Sequence, residues 1–352
     1  MYIREATPDD GGALQALQAQ CPMGASLVIS TVNTPDFFSR AKAYAWYKVY
    51  VACEGDEIIG SAACATHPAL LQGQAIKVGY EFQYFVSPQH RRRGVGRALH
   101  TQIEATLRAE GAALIQLVAI EGNIPSMRLF ESVGFEPVQT LVMPGLIPYK
   151  VMPEPEGPGV IRPARPEDFP AILALRDVVW GQDALYEPLS ESNLAQQIER
   201  MPAYSLDDVW VLEADGEILG CFGAWDWSQI TRIEVQALSW KLQWIGLGLT
   251  VGGWFARLPQ GVKVGDVLKQ VVLTPFAWKD LSALNYLLRW VNNDCVRRGV
   301  GQVFCVVAPG HPLLANLKGF IHIDTQVHVY VKMLQERPWP GTVPLYLDGR
   351  DL

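Results

Sequence analysis

The chain has 352 residues, 49% of them hydrophobic, which is too long for one core and enough for two packed interiors. With 29 basic against 36 acidic residues, the net charge of −7 argues against a general nucleic-acid binder. Six cysteines without a C-x-x-C pair read as buried thiols of a reducing cytoplasm, and no His/Cys/Asp cluster has the spacing of metal ligands.

In chain order, Ile3-Arg4-Glu5-Ala6-Thr7-Pro8-Asp9-Asp10 predicts a strand, a turn and an acidic helix start. An amphipathic stretch through Leu14 and Leu17 follows. The opening residues Met1 to Glu5 lack the character of a signal peptide. Val51 to Gly60 predicts a hairpin with Gly55-Asp56 at its tip. The next strand, Gly79 to Val86, carries Glu81 among Tyr80, Phe82 and Tyr84, a setting that partly desolvates a carboxylate.

The most informative segment is Val86-Ser87-Pro88-Gln89-His90-Arg91-Arg92-Arg93-Gly94-Val95-Gly96-Arg97. It leaves the strand, turns at Pro88 and crosses a basic glycine loop. It then enters a helix with Leu99, Ile103, Thr106 and Leu107 on one stripe. A helix N-terminus offers free N–H groups and a dipole that favours negative charge. Gly94 and Gly96 would let a phosphate approach the backbone, and Arg91, Arg92, Arg93 and Arg97 add charged donors. No Gly-Lys-Ser/Thr follows, so this is not a kinase-type P-loop, and the spacing is wrong for a dinucleotide fingerprint. Downstream, Leu114 to Ala119 predicts a buried strand. Asn123 to Phe135 predicts a helix that starts at Asn123-Ile124-Pro125 and ends at Gly134 with positive φ.

These segments resemble the GCN5-related N-acetyltransferases (GNAT). Arg91-x-x-Gly94-x-Gly96 after a Val-x-Pro strand end is similar to that family's acyl-coenzyme A loop. Asn123, Ser126, Leu129-Phe130 and Gly134-Phe135 are similar to its second signature. The resemblance covers residues 1–150. It implies that the loop from Arg91 through Val95 to Arg97 grips the diphosphate of acetyl-coenzyme A. It implies that backbone N–H groups at Phe85 and Val86 meet the thioester and pantetheine arm, and that Asn123, Ser126 and Phe130 belong to the same cofactor site. Glu81 is implied as a general base acting on the amine through water. One departure stands out: many members place a tyrosine where this chain has Phe130, which has no proton to give. Tyr84 and Tyr149 are alternative acids, or no acid is needed. His90 and His100 are expected on the solvated helix entrance.

The chain repeats itself. Ile161 to Asp168 follows the pattern of Ile3 to Asp10, and Asp215-Gly216-Glu217-Ile218-Leu219-Gly220 that of Gly55 to Gly60. Val272-Leu273-Thr274-Pro275 matches Phe85-Val86-Ser87-Pro88, and Gly319-Phe320 matches Gly134-Phe135. Aligning Pro275 on Pro88 puts Trp278, Leu281 and Ala283 at the places of Arg91, Gly94 and Gly96, where a leucine would fill the phosphate cradle. The same count puts Leu268 at the place of Glu81. Trp225 and Trp227 would share one face of a strand with Asp226 on the other. The most apolar run, Trp244 to Phe255, is too short to span a bilayer and carries four glycines, which predicts strands within a domain.

The expected fold is α/β (α+β): two tandem GNAT-like domains, each a mixed, mostly antiparallel sheet with helices on both faces. The expected boundaries are an acyl-coenzyme A-binding domain over 1–150, a Pro/Gly linker over 151–159, a degenerate copy over 160–335 packed beside the first, and a tail over 336–352. The expected activity is transfer of an acetyl group from acetyl-coenzyme A to an amine. A non-catalytic acyl-coenzyme A sensor, or transfer of another acyl group, are the alternatives. The acceptor is expected to be a small molecule or peptide amine, with variable loops such as Gln18–Asp36 shaping its pocket. The acidic balance points to a cationic one, such as a polyamine, an aminoglycoside or lysine. No nucleic-acid or membrane partner is expected, the location is expected to be cytoplasmic, and the state a monomer or homodimer.

Overall fold

The computed structural model describes residues 1–24, 26–153, 159–244, 259, 261–341 and 343–352. Residues 245–255 of the apolar run and 154–158 of the expected linker lie outside the described residues.

The described strands of the first half are β1 (Tyr2–Glu5), β2 (Leu27–Asn33), β3 (Trp46–Glu54), β4 (Glu57–Leu71), β5 (Gln74–Val86), β6 (Leu114–Ile120) and β7 (Glu136–Leu146). Those of the second are β8 (Val160–Pro163), β9 (Val209–Ala214), β10 (Glu217–Asp226), β11 (Thr231–Leu238), β12 (Val267–Leu268), β13 (Gln270–Trp278), β14 (Gln302–Phe304) and β15 (His322–Met333). Twelve of them form one sheet in the order β1-β3-β4-β5-β6-β15-β7-β14-β13-β10-β9-β8.

That order reads the same from either edge. An outer strand, a hairpin, its next strand and a parallel partner come first, then a strand lent by the other half. β15 pairs with β6 at Val327↔Ile120 and with β7 at Val327↔Leu141. β7 in turn pairs with β14 at Val303↔Leu146. Each half therefore gives its last strand to the other, and the expected arrangement of two domains side by side is replaced by an interlocked one. A smaller sheet, β12-β11-β2, crosses the halves as well. The segment Gln18–Asp36, expected as a loop, contains β2, which pairs with β11 from Thr231↔Asn33 to Leu238↔Leu27. One apolar cluster joins both halves, with Leu14, Phe37, Tyr80 and Phe82 packed among Phe169, Ile172 and Trp225.

The edges of the sheet are built alike. β1 turns at Pro8–Asp10 into helix α1 (Gly11–Ala19), and Arg4 grips Asp10 with two bonds of 2.7 and 2.8 Å. β8 turns at Pro166–Asp168 into α4 (Phe169–Trp180), and Arg162 grips Asp168 at 2.7 and 2.9 Å. Arg162 holds the Asp168 carboxyl below the usual carboxylate range. A carboxylate whose pKa is depressed in the folded state adds stability above its unfolded value and loses it on acidification. Arg162→Ala is expected to cost about 1 kcal/mol at pH 7 by urea denaturation, and the difference from wild type should shrink below about pH 4.

The segment expected as a tail is built into the interior. Leu345, Leu347, Arg350 and Asp351 are buried. The Tyr44 hydroxyl donates to Asp351 at 2.7 Å, and Arg350 pairs with Glu187 and, at 3.0 Å, with Asp348. The six cysteines are buried and unpaired. Among the described residues no helix is long and apolar enough to cross a membrane.

Candidate acyl-transfer site

β5 ends at Val86, and the chain then crosses 87–94 before α2 (Val95–Ala109) begins. A short turn at Pro88–His90 is closed by the His90 N–H donating to the Ser87 carbonyl at 2.8 Å. Gly94 stands at the helix start with φ 82°, a left-handed conformation that favours glycine. The first helical bond runs from the Ala98 N–H to the Gly94 carbonyl at 3.0 Å. The N–H groups of Val95, Gly96 and Arg97 thus precede the helical ladder and are free to meet an anion. Arg91, Arg92, Arg93 and Arg97 are exposed around them. Arg93 reaches Glu54 at 2.9 Å and Arg97 reaches Ser132 at 3.3 Å.

The two glycines have different tasks. A Cβ on Gly94 would meet nothing within 4 Å, so its positive φ is what demands glycine. A Cβ on Gly96 would stand 2.7 Å from Leu129 Cδ2. Gly96 therefore lets α2 close on α3 (Ile124–Ser132); the expectation that it opens the backbone to a phosphate is corrected.

β5 and β6 pair in parallel only at Val78↔Leu114, Gly79↔Ile115 and Tyr80↔Gln116. Beyond Tyr80 the strands part, and among the described residues the β6-facing edge of β5 from Glu81 to Val86 has no strand partner. A bulge deepens this opening: Gln83 has φ 53°, and the β4–β5 register shifts between Ser61 and Ala63. The Phe85 ring turns away from the opening, edge-on to Phe37 at 6.2 Å. Val86 and Tyr84 are partly exposed beside it.

Glu81 does not face solvent. Its carboxylate accepts the Tyr84 hydroxyl at 2.5 Å and His100 Nδ1 at 3.0 Å, and the residue is 2% exposed. His100 is 3% exposed, which corrects the expectation of a solvated site. Its position was legible: with Gly96, Leu99, Ile103 and Leu107 it falls on the buried stripe of α2. His100 Nε2 faces Lys332 at 3.1 Å, and Lys332, on the exchanged strand β15, also donates to Glu104 at 2.5 Å. His100 Nε2 also lies 3.2 Å from Glu104, so the ring stands between two carboxylates, Glu81 and Glu104. Burial, then the Glu81 charge, pushes the Tyr84 hydroxyl well above its ordinary pKa.

Phe130 is buried, with rings at 5.7 Å (Tyr84), 6.0 Å (Tyr330) and 6.1 Å (Phe135). It closes the apolar floor behind Tyr84. The Asn123 side chain caps α3 by accepting the Ser126 N–H at 3.4 Å, which engages both residues in starting that helix.

The second half keeps the parting of the strands, since β13 and β14 pair in parallel only from Gln270↔Gln302 to Val272↔Phe304, but it lacks the loop. Strand register aligns Gly220↔Trp278 with Gly60↔Val86, so Pro275 lies inside β13 and is not the counterpart of Pro88. The same register aligns Ala224↔Leu273 with Cys64↔Glu81, so a leucine replaces Glu81, but it is Leu273 and not Leu268. Only Lys279 and Asp280 separate β13 from α6 (Leu281–Arg298). Asp280 caps α6, accepting the N–H groups of Ser282 and Ala283, both at 2.9 Å. A carboxylate thus occupies the anion position that Gly94 leaves open in the first half.

An open helix N-terminus beside a splayed pair of parallel strands is the framework of the GNAT acyltransferase fold. Residues 22–135 match the model of the acetyltransferase (GNAT) family. The whole fold is similar to that of N-myristoyltransferase from Saccharomyces cerevisiae, solved with bound myristoyl-CoA, with a TM-score of 0.64 and 12% identity over 94% of this chain and 78% of that one. It is similar to a GCN5-related N-acetyltransferase from Sphaerobacter thermophilus, with a TM-score of 0.55 and 16% identity over 97% of both chains. It is also similar to one from Anabaena variabilis, with a TM-score of 0.57 and 11% identity over 95% of this chain and 73% of that one. At such identities the likeness is one of fold.

Proposed function

We propose that this protein is an acyl-coenzyme A-dependent N-acyltransferase whose donor site is the first half, with acetyl as the group transferred. The observation that carries this reading is the glycine-capped N-terminus of α2, open beside the unpaired edge of β5. Bound there, coenzyme A supplies an activated thioester. The N–H groups of Val95, Gly96 and Arg97, with Arg91, Arg92 and Arg93, would hold its diphosphate. The free edge of β5 offers N–H donors to a carbonyl oxygen that gains charge, each worth roughly 3 kcal/mol by analogy with other acyl-transfer sites. Glu81 takes the proton of the incoming amine through a relay. Tyr84 passes its own proton to Glu81 as it accepts one from water on the amine, and His100 steadies the carboxylate.

Glu81→Gln and Tyr84→Phe are each expected to lower turnover at least roughly tenfold while coenzyme A affinity is kept. Thiol release from acetyl-coenzyme A over a panel of amines tests the whole reading. Coenzyme A binding without thiol release would leave a binding protein in place of an enzyme.

We read the second half as a copy of the first that has lost the donor site. The repeated Arg–Asp clamp, the mirrored strand order and the bulge in β13 support this. The Asp280 cap and Leu273 account for the loss.

A further inference from the structure

Resting on that reading, we infer that the acceptor is a small amine that also carries a carboxylate, an amino acid being the simplest, and that Arg40 binds this carboxylate. Tyr80 and Phe82 face the side of β5 opposite Glu81, in the core shared by the two halves. The Arg40 guanidinium lies there between two aromatic rings, with Cζ 5.2 Å from the Phe82 centroid and 5.4 Å from that of Trp227. Among the described residues its one hydrogen bond is from Nη2 to the Tyr80 hydroxyl, at 3.2 Å. Among the described residues no carboxylate pairs with it, although Asp36, four residues earlier, is taken by Lys42 at 2.6 Å.

Two donors at this place are buried without an acceptor: Arg40 Nε and Trp227 Nε1. Such groups carry a desolvation cost that an incoming acceptor relieves. A planar guanidinium braced by two rings is suited to a carboxylate, which it can hold through two parallel bonds. The location fits a substrate. Tyr80 is the last residue of β5 paired to β6, so its partner Arg40 stands where the strands begin to part.

The second half supplies part of this site. β10 ends at Asp226, and Trp227 opens a short turn, which corrects the expected strand face shared with Trp225. Trp225 is buried in the core and meets Trp227 edge-on at 5.8 Å. The turn thereby aims Trp227 at Arg40.

The test uses the full chain with matched acceptors, L-phenylalanine against 2-phenylethylamine and glycine against methylamine. Turnover is read as KM and kcat, and binding by calorimetry in the presence of coenzyme A. The wild type is expected to favour the carboxylate member of each pair at least tenfold in KM or Kd. Arg40→Met, which keeps an apolar stem between the rings, should erase that preference while coenzyme A affinity is kept. Arg40→Lys should keep part of it. Equal use of both members, binding of neither, or a preference that survives Arg40→Met would overturn the inference. Acetyl- and succinyl-coenzyme A are compared as donors. An Arg40-dependent preference for succinyl-coenzyme A would move the carboxylate to the acyl group and reject the acceptor assignment. Loss of coenzyme A binding by the wild type itself would instead remove the proposed function, and the calorimetric preference between paired amines would still decide for or against Arg40.

Discussion

Gly94→Asp is expected to abolish coenzyme A binding, weakening it at least a hundredfold by calorimetry, while the protein stays folded. The argument is an internal comparison. In the second half Asp280 stands at the start of α6 and takes the Ser282 and Ala283 N–H groups at 2.9 Å. An aspartate at Gly94 would bring the same competitor to the N–H groups of Val95, Gly96 and Arg97. It would also set a negative charge where a diphosphate must lie. Gly94 has φ 82°, so an L-residue there carries strain of about 1–2 kcal/mol. Aspartate bears this conformation better than most residues. The melting temperature should therefore fall by only a few degrees. Coenzyme A affinity within a few-fold of wild type would show that the diphosphate is not held on this helix. Asp280→Gly is the control: it should lower stability by only about a few tenths of a kcal/mol through the lost cap, and it should create no second site, because two residues cannot form the loop.

Arg350→Ala is expected to cause the largest loss of stability, about 3–5 kcal/mol. Arg350 is buried, paired with Glu187 and, at 3.0 Å, with Asp348. Burial opposes the charge on Asp348, yet Arg350 and Arg176 outweigh it and hold that carboxyl well below the usual range. Removing Arg350 strips Glu187 and Asp348 of the cation that pairs with both, and Arg176 still acts on Asp348. The segment that carries Arg350 also ties the halves together. Tyr44 of the first half bonds Asp351 at 2.7 Å, and Thr274 of the second bonds Asp348 at 3.3 Å. Carboxyls left unpaired in the interior take raised pKa values, so their penalty grows as pH rises. The gap between variant and wild type should accordingly widen from pH 4 to pH 7 in denaturant unfolding. A loss under about 1 kcal/mol at pH 7 would mean that water reaches these groups and that the segment is not a fastener.

The site was unevenly legible. The anion loop announced itself through local rules. A glycine at a helix start, a proline after a strand and arginines between them act within a dozen residues, and Gly94, Val95 and the end of β5 fall where those rules put them. His100 obeyed a local rule too, because the stripe through Leu99 and Ile103 includes it. Glu81 was legible as a residue, but its bonds to Tyr84 and His100 were not, because they depend on how closely α2 lies on β5. Counting back from Pro275 misplaced the second-half counterparts, because a proline within a strand at a bulge looks, in one dimension, like a proline after one.

Other features have no local signature. The exchange of β7 and β15 joins residues about half the chain apart, and either strand would read the same in its own half. Arg40 and Trp227 meet from opposite halves because the shared core brings a turn of one against a turn of the other. What the amino-acid order determined by itself was the strand, glycine turn and helix around Arg91 to Arg97, with the helix start at Gly94, since these follow from backbone conformation and short-range periodicity. What the tertiary structure decided was which half closes which sheet, which carboxylates are buried and paired, and what stands on the Tyr80 face of β5. Those outcomes depend on burial and on pairing between distant strands, whose energies exist only once the chain has packed.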